Sequence, residues 1–151
     1  MNFCTRLNGL LIISVLSGCS NTPEPPPPIT FYVNPGLEAN DGHLVYMVVR
    51  SVNEKQFIDE TYAQVASKVF PLTDDPTLLG VHPISPGEKK EIETPGPAKG
   101  PVAVYFMFTN PGPYWKTLLN TPLDTTYGIA LPNNNQVIVG DEPNIFSRLT
   151  Y

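Results

Sequence analysis

Cysteine is almost missing from this chain: of 151 residues, only Cys4 and Cys19 are cysteines. Cys4 lies in a leader-like segment, so no thiol pair remains for the folded part and no disulfide is expected there. The fold must then be held by packing. Histidine is as sparse. His43 and His82 lie far apart and neither sits in a metal-ligand spacing, which argues against a zinc site. No serine occupies a G-x-S-x-G elbow and no glycine-rich phosphate loop is present, so the familiar nucleophile and nucleotide signatures are absent. Cations are few, nine Lys and Arg against 14 Asp and Glu, for a formal net charge of −5. An acidic chain without a Lys/Arg stripe is a poor ligand for nucleic acid, where phosphate neutralisation dominates affinity. The same lack argues against a polybasic membrane patch. Finally, no apolar run approaches the roughly 20 residues needed to cross a bilayer.

Proline, by contrast, is abundant: 18 residues in a chain that is 41% hydrophobic and 15% charged. Such hydrophobic content suits one packed domain, with the prolines confined to linkers, turns and edges. Residues 1–18 read as a secretory leader, with one cation at Arg6, the apolar run "LLIISVL", then Ser17 and Gly18. "LSGC" resembles a bacterial lipobox, which implies leader removal and lipid attachment at Cys19. Each buried CH₂ of an acyl chain contributes about 0.8 kcal/mol, so several chains make a permanent anchor. Ser20 after the cysteine, rather than aspartate, implies delivery to the outer membrane. The following "NTPEPPPP" can bury nothing and should run as polyproline II, a spacer of roughly 25 Å at about 3.1 Å per residue. A proline-rich ligand for an aromatic groove is the alternative. The expected partition is a leader at 1–18, a lipidated cysteine and spacer at 19–28, and a folded domain at 29–151.

Within that domain "ITFYV" reads as a first strand closed by Asn34-Pro35-Gly36. "HLVYMVVRSV" is a strong strand with two apolar faces, Val45, Met47 and Val49 against Leu44, Tyr46 and Val48, so both should be covered. Between residues 53 and 70 the period changes: Ile58, Tyr62, Val65, Ala66 and Val69 form one stripe of a single long helix ended by Pro71. "DDPTLLG" suggests a short second helical turn with Asp75 as N-cap. "SPGEKKEIET" predicts a turn into an edge strand, "VAVYFMFT" a central strand, and "TYGIAL" and "QVIV" a hairpin closed by "PNNN". About seven strands and one to two helices make a mainly β fold, a β-sandwich with a helical insertion. The acid pairs Asp59-Glu60 and Asp74-Asp75 read as a solvated helix face and a helix cap rather than a hydrolytic dyad. Trp115, beside Lys116, could plug the end of the sandwich or face a partner.

The order of the lipobox, "VNPGLEANDG", "LVYMVVRSV", a "FID" helix start, "PGE" before an edge strand, and "VAVYFMFTNPGPYWK" resembles the TssJ family, outer-membrane lipoproteins of type VI secretion systems. Val33-Asn34 stands where leucine-asparagine is usual and Trp115-Lys116 where Trp-Arg is usual, as in a divergent member. The resemblance implies a transthyretin-like two-sheet β-sandwich facing the periplasm, non-enzymatic and without cofactor, metal or small-molecule substrate. It also implies that the first interstrand loop, Asn34, Pro35, Gly36, Leu37, Glu38, Ala39, Asn40, Asp41 and Gly42, contacts the periplasmic C-terminal region of a TssM-like inner-membrane protein. The alternatives are a pilotin or periplasmic chaperone taking a client at a sheet edge, or an envelope protein binding a small ligand.

Overall fold

The computed structural model describes residues 24–70 and 74–140. The leader, Cys19, residues 21–23 of the proline tract, the expected helix stop Pro71 and the tail 141–151 lie outside them. Two stacked four-stranded sheets form the domain, and the mainly β, two-sheet sandwich with a small helical insertion is borne out. The first sheet has the order β4 (Lys90–Thr94), β1 (Ile29–Pro35), β7 (Thr126–Leu131), β8 (Ile138–Gly140), with β1 and β7 parallel and the other pairs antiparallel. The second is antiparallel: β3 (Leu78–Ile84), β2 (Val45–Ser51), β5 (Val102–Met107), β6 (Lys116–Leu119).

The alternation along β2 and β5 sorts their side chains into two cores. Val45, Met47 and Val49, with Val102, Val104 and Phe106, face the first sheet and meet Phe31, Val33, Ile129 and Leu131. Val48, Ala103, Tyr105 and Met107 point the other way, under the helical insertion, where Val65 is fully buried and Phe57 and Tyr62 are partly so. Both faces are therefore covered, as the two apolar faces of these strands require. Each fully buried valine or phenylalanine contributes about 1.5–3 kcal/mol.

The insertion is not the single helix expected over residues 53–70. It is two short helices, α1 (Glu54–Asp59) and α2 (Tyr62–Ala66), and Ile58 of the expected stripe is exposed. Each begins with its own capping box, Asn53 with Gln56 and Thr61 with Gln64. Between them Glu60 is extended and turned inward. Its carboxylate takes an ion pair from Arg50, itself only 4% exposed, and accepts a hydrogen bond from the Tyr105 hydroxyl at 2.5 Å. Arg50 Nη2 also donates to Thr77 Oγ1 at 2.7 Å and reaches Asp75 at 3.4 Å, and Lys68 Nζ pairs with Asp75 at 2.7 Å. The tertiary demand of a buried arginine thus overrides helix periodicity at Glu60.

Asp75 does not cap a helix either. Its Oδ1 accepts from the Thr77 backbone N–H at 2.9 Å and from the Thr77 hydroxyl at 2.6 Å, a side-chain turn that leads directly into β3. That strand and β6 bring the count to eight among the described residues, where about seven were expected. Burial alone would raise the Asp75 carboxyl. Its bonds from Lys68 and Thr77 and the nearby Arg50 charge outweigh that and hold it well below the usual carboxylate range. Burial, then the contact with Glu60, pushes the Tyr105 hydroxyl well above its ordinary value.

Sheet edges are guarded. β4 alternates charge along Lys90, Glu91 and Glu93, β3 contains Pro83, and β8 is three residues long. The expected edge strand and the final hairpin are both present, the hairpin with Asn135 at a φ of 54°. At the other end, the proline tract does not stand wholly clear of the domain. A Cβ on Gly96 would collide with the Pro27 carbonyl, and Pro26 to Pro28 line a small recess with Pro97 and Leu123.

Candidate functional site

Strand pairing decides which loops share the end of the sandwich remote from Ile29. Pro35 lies opposite Leu131, Val45 opposite Ile84, and Tyr46 opposite Met107. Four connections therefore meet at that end, residues 36–44, 85–89, 108–115 and 132–137.

The first of them is pinned rather than loose. The Gly36 N–H donates to the Leu131 carbonyl at 2.8 Å, and the Gly36 carbonyl accepts from Gly87 N–H at 3.1 Å. A Cβ on Gly36 would collide with the Asn133 side-chain oxygen and displace that amide from its place against the loop. That oxygen accepts from the Glu38 N–H at 3.3 Å. Beyond it Asn40, Asp41 and Gly42 have φ of 55°, 55° and 76°, a run of left-handed backbone that asparagine, aspartate and glycine tolerate best.

Asn40 is fully buried and its side chain is fully used. Its Oδ1 accepts from Thr109 N–H at 2.6 Å, while its Nδ2 donates to the Leu44 carbonyl at 3.0 Å and the His43 carbonyl at 3.3 Å. Its own N–H donates to Asn135 Oδ1 at 2.7 Å, and Asn135 Nδ2 reaches the Asn110 carbonyl at 3.3 Å. The side-chain amides of Asn40, buried, and Asn135, half-buried, thus together tie three loops.

With its flanks held this way, Leu37 stands 81% exposed. Its Cδ2 lies over Gly87, where a Cβ would be only 2.6 Å away at a φ of 74°. A recess of about 390 Å³ opens beside it, lined by Asn34, Pro35, Gly36, Leu37, Gly87 and Asn133. Of the nine residues expected in the contact loop, Asn34 and Pro35 are the last two of β1, and Pro35, Ala39 and Asn40 are buried. Gly36 is half-buried, which leaves Leu37, Glu38, Asp41 and Gly42 as the accessible part.

Two contributors escaped the sequence reading. Asn133 and Asn135 stood out only as residues tolerant of positive φ, and nothing in the sequence said that their amides hold another loop. Tyr114, 61% exposed, belongs to the same end: its carbonyl accepts from Val137 N–H at 3.0 Å. Trp115 turns away from that end. Its ring packs edge-on to Tyr62 at 5.0 Å and tilted on Tyr105 at 5.7 Å, under the helical insertion. Lys116 follows it inward, donating to the carbonyls of Phe57 and Glu60 where α1 ends, with its ammonium 4.6 Å from the Phe57 ring centre. Burial lowers the pKa of Lys116 against the upward pull of Glu60 and Asp59.

A second recess, about 580 Å³ and open, lies over the two helices. There Lys55 and Lys68 are interspersed with Asp59 and Glu60, and Glu60 is already committed to Arg50 and Tyr105. Among the described residues no group of three His, Cys, Asp or Glu side chains could hold a metal ion.

Residues 46–131, from β2 to the end of β7, match the family model described as IglE, N-terminal domain. The chain belongs to that family. This member of the IglE N-terminal domain family matches no curated protein sequence. Its fold is nevertheless shared with solved structures of low identity. One is Serratia marcescens Lip, a membrane-bound component of the type VI secretion system, at 12% identity and a TM-score of 0.60 over 78% of this chain and 99% of that one. Another is the type VI lipoprotein TssJ1 of Pseudomonas aeruginosa, at 14% and 0.55 over 79% and 100%. A third is a chain in a structure of the TssM C-terminal domain from EAEC, at 15% and 0.50 over 76% and 100%. The resemblance to the TssJ family is therefore borne out in the fold of this IglE-type domain.

Proposed function

We propose that this chain is a lipid-anchored outer-membrane tether that faces the periplasm. It recruits and positions a type VI secretion membrane complex by binding the periplasmic C-terminal region of a TssM-like inner-membrane protein. It acts by binding, not by catalysis. The observation that carries the reading is Leu37: a large apolar side chain held almost fully in solvent on a backbone fixed by buried amides, at the end of the sandwich opposite the spacer. Exposed apolar anchors on rigid loops are what interfaces use, because little entropy is lost when they dock. The shared fold of two type VI lipoproteins supports the system, and the likeness to a chain in a TssM C-terminal structure supports the partner.

Leu37→Asp is expected to weaken binding of a soluble TssM-like periplasmic fragment by about 30-fold or more, whereas Leu37→Met stays within about threefold. The measurement is a titration by calorimetry or surface resonance, and equal affinity for wild type and Leu37→Asp would sink the loop assignment. Point substitution is the right tool, since deleting residues 37–40 would remove the buried Ala39 and Asn40 and unfold the end of the sandwich.

The anchor rests on the "LSGC" sequence at residues 16–19. Cys19→Ser is expected to move the protein from the membrane fraction to the soluble one, with its unfolding midpoint unchanged. Continued sedimentation of Cys19→Ser with membranes would refute lipidation at that residue.

A further inference from the structure

The end that carries Leu37 holds a second exposed apolar side chain, the Tyr114 ring, and an acidic border, and together they say what kind of surface it fits. The loop 132–137 bonds to both the 36–44 and the 108–115 loops: Asn133 takes the Glu38 N–H, Asn135 takes the Asn40 N–H, and Val137 donates to the Tyr114 carbonyl. Leu37 and Tyr114 therefore stand on two loops that are both bonded to "PNNNQV", both largely in solvent, with Asn133 and Asn134 also exposed. The spare donors and acceptors of those amides sit where an apolar partner surface would need polar relief. Around this core, Glu38, Asp41 and Glu88 are exposed. Against them stand Lys89 and Lys90, and the Lys90 ammonium is turned to the Pro83 carbonyl at 2.7 Å. No lysine or arginine occurs in 34–44, 108–115 or 132–137.

We infer that the docking surface spans three loops, with Tyr114 as a second anchor beside Leu37, and that the partner presents an apolar patch bordered by basic residues. The inference rests on the reading that this end binds a TssM-like protein. Complementary charge at the border of an interface speeds encounter and makes it salt-dependent, while buried aromatic anchors set the dissociation rate.

The test uses the full chain purified in detergent and the soluble periplasmic fragment of the TssM-like protein from the same secretion system. Tyr114→Ala is expected to weaken binding by about tenfold, mainly through faster dissociation. Glu38→Lys with Asp41→Lys is expected to slow association about tenfold at low salt, the difference shrinking as ionic strength rises through roughly 0.5 M. Circular dichroism checks that each variant is folded.

If Leu37→Asp abolishes binding but Tyr114→Ala stays within about twofold and the double charge reversal leaves association unchanged, the inference fails and the parent reading stands. If wild type does not bind the fragment at all, the parent reading fails and takes the inference with it. Self-association of the chain that Tyr114→Ala abolishes would assign the surface to a second copy, and would likewise overturn the inference.

Discussion

Asn40→Ala is expected to lower the stability of the domain by about 3 kcal/mol and to cost the 36–44 loop its fixed shape. The substitution removes the acceptor for the Thr109 N–H and the donor to the carbonyls of His43 and Leu44, all at a fully buried position. Each buried group left without a partner costs about 1–3 kcal/mol, and water cannot fully repay it in a site closed by Ala39 and three loops. Alanine at a φ of 55° adds about 1–2 kcal/mol of backbone strain. Asn40→Gly separates the contributions: it relieves the strain but not the lost bonds, so its stability should fall between wild type and Asn40→Ala. Urea denaturation gives the stabilities, and amide exchange at Thr109 should accelerate in both variants. If Asn40→Ala unfolds at the wild-type urea midpoint, this account of the loop is wrong. The functional consequence follows directly, because a loosened loop must be reordered on docking and the partner should bind more weakly even with Leu37 intact.

Arg50→Ala has the larger expected effect, about 3–5 kcal/mol, because it removes a buried guanidinium that packs under the insertion and strips the partner from a largely buried carboxylate. Glu60 would keep only the Tyr105 hydroxyl, and Thr77 and Asp75 would lose a shared donor. The helical insertion should then loosen from the β3-β2-β5-β6 sheet, exposing the side chains around Val65 and Tyr105. Arg50→Met combined with Glu60→Gln should recover most of the loss, since a neutral pair needs no ion partner. A double-mutant cycle on urea midpoints measures the coupling, and additive effects of the two single changes would refute it.

The same network sets an acid limit. Asp75 is held well below its ordinary range when folded, so it binds a proton more readily unfolded. Its contribution is therefore complete above about pH 4–5 and is lost as pH falls below that. Asp75→Asn should lack this part of the acid destabilisation.

How these two sites were legible differs in an instructive way. The strands carrying the network, "LVYMVVRSV" and "VAVYFMFT", are readable as near-continuous apolar runs, because burial on both sides selects apolar residues at almost every position. The breaks in those patterns were not interpretable alone. Arg50 carried no signal of its role, and Glu60 read as part of a solvated helix face. Only the register that sets Arg50 beside Ala103, under the insertion, turns both into a buried pair. The two capping boxes, N-x-x-Q at residues 53–56 and T-x-x-Q at 61–64, were in the sequence and could have split the helix.

Much about this protein is determined locally, and so was open to the sequence: the two central strands, the edge strand with its charges, the asparagine-closed hairpin and a mainly β class. Each depends on composition or on neighbours a few residues apart. Tertiary structure alone decided what the loops do. The hydrogen bonds that join the loops of Asn40, Asn133, Asn135 and Thr109 reach across 25 to 95 positions of chain, set by the parallel pairing of β1 with β7 and the antiparallel pairing of β2 with β5. A hydrogen bond has no sequence period. The spacing that makes Asn40 a buried knot and leaves Leu37 in solvent exists only once the sheets have set the ends of their strands side by side.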